Sequence, residues 1–108
     1  MPSYMVQASY TAQGVSGLVK SPEDRTAVLQ ALVEGLGGKI ESMYYAFGDF
    51  DVVVIAELPD AVAMAALSMV IGASGAVTNF KTTVLIPLSE GVEAARKAGS
   101  ISYRPPGS

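Results

Sequence analysis

Asp51 stands just after Gly48-Asp49 and opens the apolar run Val52-Val53-Val54-Ile55. A carboxylate at the mouth of an apolar segment has two readings. It can act as a general base or polar anchor at the rim of a pocket. It can also accept backbone N–H bonds that fix a hairpin, the role suited to Asp at turns. Three phenols stand near enough in the pattern to join it. Tyr44 and Tyr45 are neighbours in one apolar stretch, and Tyr10 lies in an earlier one with Tyr4. In a strand, Tyr44 and Tyr45 point to opposite faces, so one packs under a helix layer and the other can line a cavity. Arg25 and Lys81 are the cations positioned to meet Asp51, Glu57 or an anionic ligand. Solvated surface pairs are the competing reading, and such pairs contribute little individually.

Other chemistry is excluded by composition. The 108 residues contain no His and no Cys. A Ser-His-Asp or Cys-His nucleophile pair is therefore impossible, as are disulfides and His or Cys metal sites. No metal and no cofactor is expected. Net charge is −3, with seven Lys and Arg spread along the chain. Without a basic cluster, nucleic-acid binding through phosphate neutralisation is not expected. No apolar run reaches the ~18 residues of a membrane span. Met1-Pro2-Ser3-Tyr4 lacks the basic-then-apolar form of a signal peptide, so a cytoplasmic location is expected.

The elements that must position these groups follow from periodicity. Tyr4, Val6, Ala8 and Tyr10 alternate with Met5, Gln7 and Ser9, which predicts a first strand. Val15 to Val19 predicts a short helical connection. Ser21-Pro22-Glu23-Asp24 predicts a helix start, with Ser21 as cap and Pro22 at the first position. That helix should run to Leu36 on a stripe of Val28, Leu29, Leu32, Val33 and Leu36, and stop at Gly37-Gly38. Lys39 to Phe47 and Phe50 to Leu58 predict a hairpin closed tightly at Gly48-Asp49, with Gly48 supplying positive φ or a close approach. Pro59-Asp60 should cap a helix from Ala61 to Ile71, with Ala63, Leu67, Val70 and Ile71 buried and Met64 and Met69 as core filler. Gly72-Ala73-Ser74-Gly75 reads as a helix exit, lacking the Lys of a P-loop. Val77 to Leu88 predicts the last strand, and Ser89 to Ala98 a short terminal helix. Residues 1–99 form one domain, and 100–108 a Pro-rich tail.

Strand, helix, strand, strand, helix, strand is the α+β, ferredoxin-like βαββαβ order, an antiparallel sheet with helices on one face. Val52 to Ile55 is apolar on both faces, so its strand should be central and covered on both sides. One cover is the helix layer. The other is expected to be a second copy's sheet, as in dimeric α+β barrels. Half the residues are apolar and 16% are charged, which also favours a covered face.

Tyr44-Tyr45-Ala46-Phe47-Gly48-Asp49-Phe50-Asp51-Val52-Val53 resembles the GYD domain family. Ser21-Pro22-Glu23-Asp24-Arg25, Leu36-Gly37-Gly38-Lys39, Glu57-Leu58-Pro59-Asp60, Ala73-Ser74-Gly75-Ala76-Val77 and Lys81-Thr82-Thr83-Val84-Leu85 extend the resemblance from Tyr4 to Ala98. Two positions depart from it. Phe50 stands where the family usually has tyrosine, and Lys81 where arginine is common, which removes a bidentate grip on an anion. The resemblance implies a dimeric α+β barrel-like fold and supplies no reaction. The expected function is a homo-oligomeric module for assembly or for binding a small apolar molecule. The alternative is a small cofactor-free enzyme of oxygenase or isomerase type. Candidate ligand-binding residues are Tyr10, Arg25, Tyr44, Tyr45, Asp51 and Lys81. Asp51 is the candidate base, and Gly48 and Asp49 are assigned to the turn.

Overall fold

Tyr4, Val6 and Ala8 are buried while Met5, Gln7 and Ser9 are not, so the alternation in the first segment does place one row in a core. The computed structural model describes residues 1–108. Its elements are β1 (Ser3–Tyr10), α1 (Ala12–Lys20), α2 (Thr26–Gly35), β2 (Lys39–Tyr45), β3 (Val52–Glu57), α3 (Ala61–Ala73), β4 (Val77–Leu85) and α4 (Leu88–Gly99). The four strands form one antiparallel sheet in the order β2-β3-β1-β4. This is the ferredoxin-like α+β arrangement, with a C-terminal helix added. β3 lies between two strands, as its doubly apolar sequence requires. No helix is long and apolar enough to cross a membrane.

The core joins Tyr4, Val6, Ala56 and Leu58 of the sheet side to Val33 of α2 and to Met64 and Leu67 of α3. Leu58 and Val33 are its largest fully buried side chains. Asp60 caps α3 as expected, its carboxylate accepting the Ala63 N–H at 2.9 Å. Gly37, at φ 84, and Gly38 end α2, and the Gly38 N–H returns to the Val33 carbonyl at 3.0 Å. This is the glycine-terminated helix end that satisfies otherwise orphaned carbonyls.

Several expectations are corrected. Ser21 does not cap α2 but ends α1, its N–H donating to the Gly17 carbonyl. α2 begins at Thr26, where the Asp24 carboxylate accepts both the Thr26 N–H and its hydroxyl proton. That local turn wins over the Ser-Pro signal because Asp24 reaches two donors at once. The same two bonds hold the Asp24 carboxyl below its ordinary range. On α3, Leu67 and Met64 are buried as expected, but Val70 and Met69 are exposed. β4 stops at Leu85, and α4 starts one residue early at Leu88, with Pro87 before it and no side-chain cap.

Candidate functional site

The hairpin between β2 and β3 is wider than its Gly-Asp pair predicts. Residues 46–51 form a six-residue loop closed by the Ala46 N–H to the Asp51 carbonyl at 2.8 Å, and Gly48 has neither a positive φ nor a close neighbour. The reason is Asp51. Its N–H donates to the Ala8 carbonyl at 2.9 Å, and its Oδ2 accepts the Tyr10 N–H at 2.8 Å. Asp51 thus continues the β1–β3 ladder by one side-chain bond after backbone pairing ends at Ala8 and Val52. The backbone-accepting role holds, but it fixes β1 to β3 rather than the hairpin turn.

Tyr44 and Tyr45 do diverge, but neither is buried, at 67% and 52% exposed. Tyr45 shares the helix side with Tyr10, their ring centroids 6.3 Å apart and tilted by 50°. Val15 and Leu18 of α1 flank the recess that Tyr45 borders but leave it half exposed, so the expected packing under the helices does not form. Tyr44 stands on the opposite side, across from Val53. Tyr4 and Tyr10 share a row, yet Tyr4 is core and only Tyr10 lines open space. Burial chiefly pushes the Tyr10 phenol up to about 12. The adjacent Tyr45 adds to this, and the Arg25 charge pulls the other way.

A cavity of about 510 Å³ lies between the sheet and helices α1, α2 and α3. Val6, Val54, Leu29, Leu32, Leu67 and Phe80 form much of its wall, and Tyr10, Gln13, Glu23 and Arg25 are among the polar residues that reach it. A recess of about 290 Å³ adjoins it, bounded by Tyr10, Val15, Leu18, Tyr45, Phe47 and Asp51. Tyr10 and Leu18 border both. Asp51 faces the recess and not the larger cavity. Helix α1 is what sequence reading undervalued. The Thr11 hydroxyl caps it by accepting the Gly14 N–H, and the Thr11 N–H ties it to the Ala76 carbonyl at 3.0 Å. The Thr11-x-x-Gly14 spacing was the available signal.

The cations separate. Arg25 pairs with Glu23 through Nη1, and Lys39 pairs with Glu57 at 3.1 Å. Lys81 sits opposite Gln7 on the far side of the sheet with no ion pair, so it joins neither Asp51 nor Arg25. No three carboxylates gather as metal ligands would.

That far side has its own order. Register aligns Tyr44, Val53, Gln7 and Lys81 in one row, Ser42, Ile55, Met5 and Thr83 in the next, and Lys39, Glu57, Ser3 and Leu85 in a third. None of these residues is buried, because the helices occupy the other face. Apolar groups thus fill the middle, and Lys81 and the Lys39–Glu57 pair mark its edges.

The family model described as GYD domain matches residues 4–95. A protein of Thermus thermophilus, the "Glutamine synthetase and cystathionine beta-lyase binding protein", is 30% identical over 90 residues, which is 83% of this chain and 94% of that protein. The crystal structure of TTHA0845 from Thermus thermophilus superposes with a TM-score of 0.53 over 81% of this chain and 95% of that one, at 16% identity. The crystal structure of FFRP-DM1 gives 0.51 over 80% and 100%, at 14% identity. These two structures share the fold.

Proposed function

The chain belongs to the GYD domain family, and from that membership and its uncovered sheet we propose that it is a homo-oligomeric binding module whose copies pack sheet to sheet. The observation that carries this reading is the patch of Met5, Val53, Ile55 and Leu85, spread over three neighbouring rows of a face that no helix covers. Burying such groups is favourable by about 25 cal/mol per Å² of apolar surface. An apolar centre with a charged edge is the usual layout of a stable interface. A twofold axis through the sheet makes that patch self-complementary. Tyr44 and Lys81 then belong to the interface, and Tyr10 and Arg25 to the cavity, where a small ligand fits.

The name of the Thermus relative describes a protein that binds two enzymes, which favours binding, with protein partners, over catalysis. An oxygenase or isomerase reading needs a free base inside the cavity. Asp51 lends one oxygen to the Tyr10 N–H and faces the smaller recess, which weakens that alternative. Native mass spectrometry tests the proposal. Wild-type protein at micromolar concentration is expected as dimers or larger assemblies, and Ile55→Lys as monomers with an unchanged circular dichroism spectrum. A monomeric wild type would sink the reading.

A further inference from the structure

The cavity wall is mostly apolar, and the partly exposed Arg25–Glu23 pair is the one ion pair that lines it. Leu29, Leu32, Val54 and Phe80 are apolar, and Arg25 is the one cation among all its lining residues. Its volume of about 510 Å³ lies within the ~300–1,000 Å³ of small-molecule sites. The space is partly open to solvent, so a ligand can enter it, and covering its apolar wall removes that surface from water. Arg25 is engaged only through Nη1, and only by Glu23, in a partly solvated pair. Such a pair is weak and readily exchanged. The rest of the guanidinium fork is free for a planar, bidentate anion. The Arg25 charge also acts on the Tyr10 phenol, which lines the same space.

We propose that this cavity binds an amphipathic monocarboxylate, its carboxylate taken by Arg25 in exchange for Glu23 and its apolar body lying among Leu29, Leu32, Val54 and Phe80. A single cation beside a carboxylate suits a monoanion. A phosphate ester, with nearly twice the charge, would face Glu23 with only one counter-charge. The site lies on the helix side of the sheet, so it deepens the small-ligand part of the proposed function and does not depend on sheet-to-sheet assembly.

Decanoate is the probe, with decanol and decyl phosphate as controls, each titrated into the full chain by calorimetry and methyl NMR. Decanoate is expected to saturate at one per chain and to bind about tenfold or more tighter than decanol, as for a hydrogen bond to a charged group. Shifts should concentrate on the Val52 and Val54 methyls rather than Val53 and Ile55, which face the other way. Arg25→Gln should cost decanoate about tenfold and leave decanol unchanged, while Glu23→Gln should tighten decanoate. Binding should survive in Ile55→Lys, which separates this site from assembly. No saturable binding, equal affinity for decanol, decyl phosphate binding as tightly as decanoate, indifference to Arg25→Gln, or shifts centred on Val53 and Ile55 would each overturn the proposal.

Discussion

Asp51 holds β1 and β3 together where their backbone ladder runs out. Its Oδ2 takes the part-buried Tyr10 N–H at 2.8 Å. Asp51→Ala leaves that donor unpaired, and an unsatisfied buried donor costs about 1–3 kcal/mol. Asp51→Asn keeps an acceptor oxygen and should cost clearly less. Urea midpoints of the two variants, at unchanged slope, read the difference. Equal losses would mean that charge, and not the hydrogen bond, is what matters. Tyr10 offers a second reading at this scale. Its folded-state pKa is raised from 10.0 to about 12, chiefly by burial. Above pH 10 the unfolded phenol ionises first, so the native state holds more protons and stability falls as pH rises. That loss is confined to the window from about 10 to about 12. Thermal unfolding across that window should show a steeper decline in wild type than in Tyr10→Phe.

At the scale of elements, α1 decides whether the cavity has a wall. Gly14 lies so close to the chain entering β4 that an added Cβ would come within 2.2 Å of the Ala76 carbonyl oxygen. Gly14→Ala must push α1 off the sheet, and should cost more than about 1 kcal/mol. Gly17, one turn on, has nothing within 4 Å of an added Cβ. Gly17→Ala should instead stabilise by about 0.5–1 kcal/mol, since Gly in a helix costs conformational entropy. Melting temperatures moving in opposite directions would check the placement of this helix. The contrast also marks what the sequence makes legible. The order of elements, the Asp60 cap and the Gly37-Gly38 stop depend on neighbours in the chain, and could be read. The start of α2 could not, because Asp24 outcompeted a valid Ser-Pro signal. The wide hairpin depends on Asp51 meeting Tyr10, 41 residues away, while Gly48-Asp49 locally argues for a tight turn. Likewise Arg25 was a plausible cation, but only the fold sets it among the residues lining a cavity with Tyr10 and apart from Lys81.

The whole molecule measures 58 × 33 × 22 Å with a radius of gyration of 17.5 Å, against about 13 Å for a compact domain of this length. The excess lies at the C-terminus. From Ile86 to Ser108 only Gly91 is even partly covered. Charge suits α4 as a helix, with Glu90 in its first turn and Arg96 and Lys97 in its last, each sign matching its end of the helix dipole. Yet Leu88 is 92% exposed and Val92 52%, and Ile101 just beyond the helix 70%, so its apolar side has no partner within the chain. Removing residues 100–108 should therefore leave the subunit's own stability within about 0.5 kcal/mol of wild type, as for surface changes that touch nothing. The measurement belongs in the Ile55→Lys background, where assembly does not contribute to the midpoint. In the wild-type background the same deletion should lower the assembled fraction at a given concentration, read by native mass. A tail that changes the monomer's midpoint would be folded against its own subunit. A tail that changes neither quantity would be solvated chain, and assembly would rest on the sheet face alone.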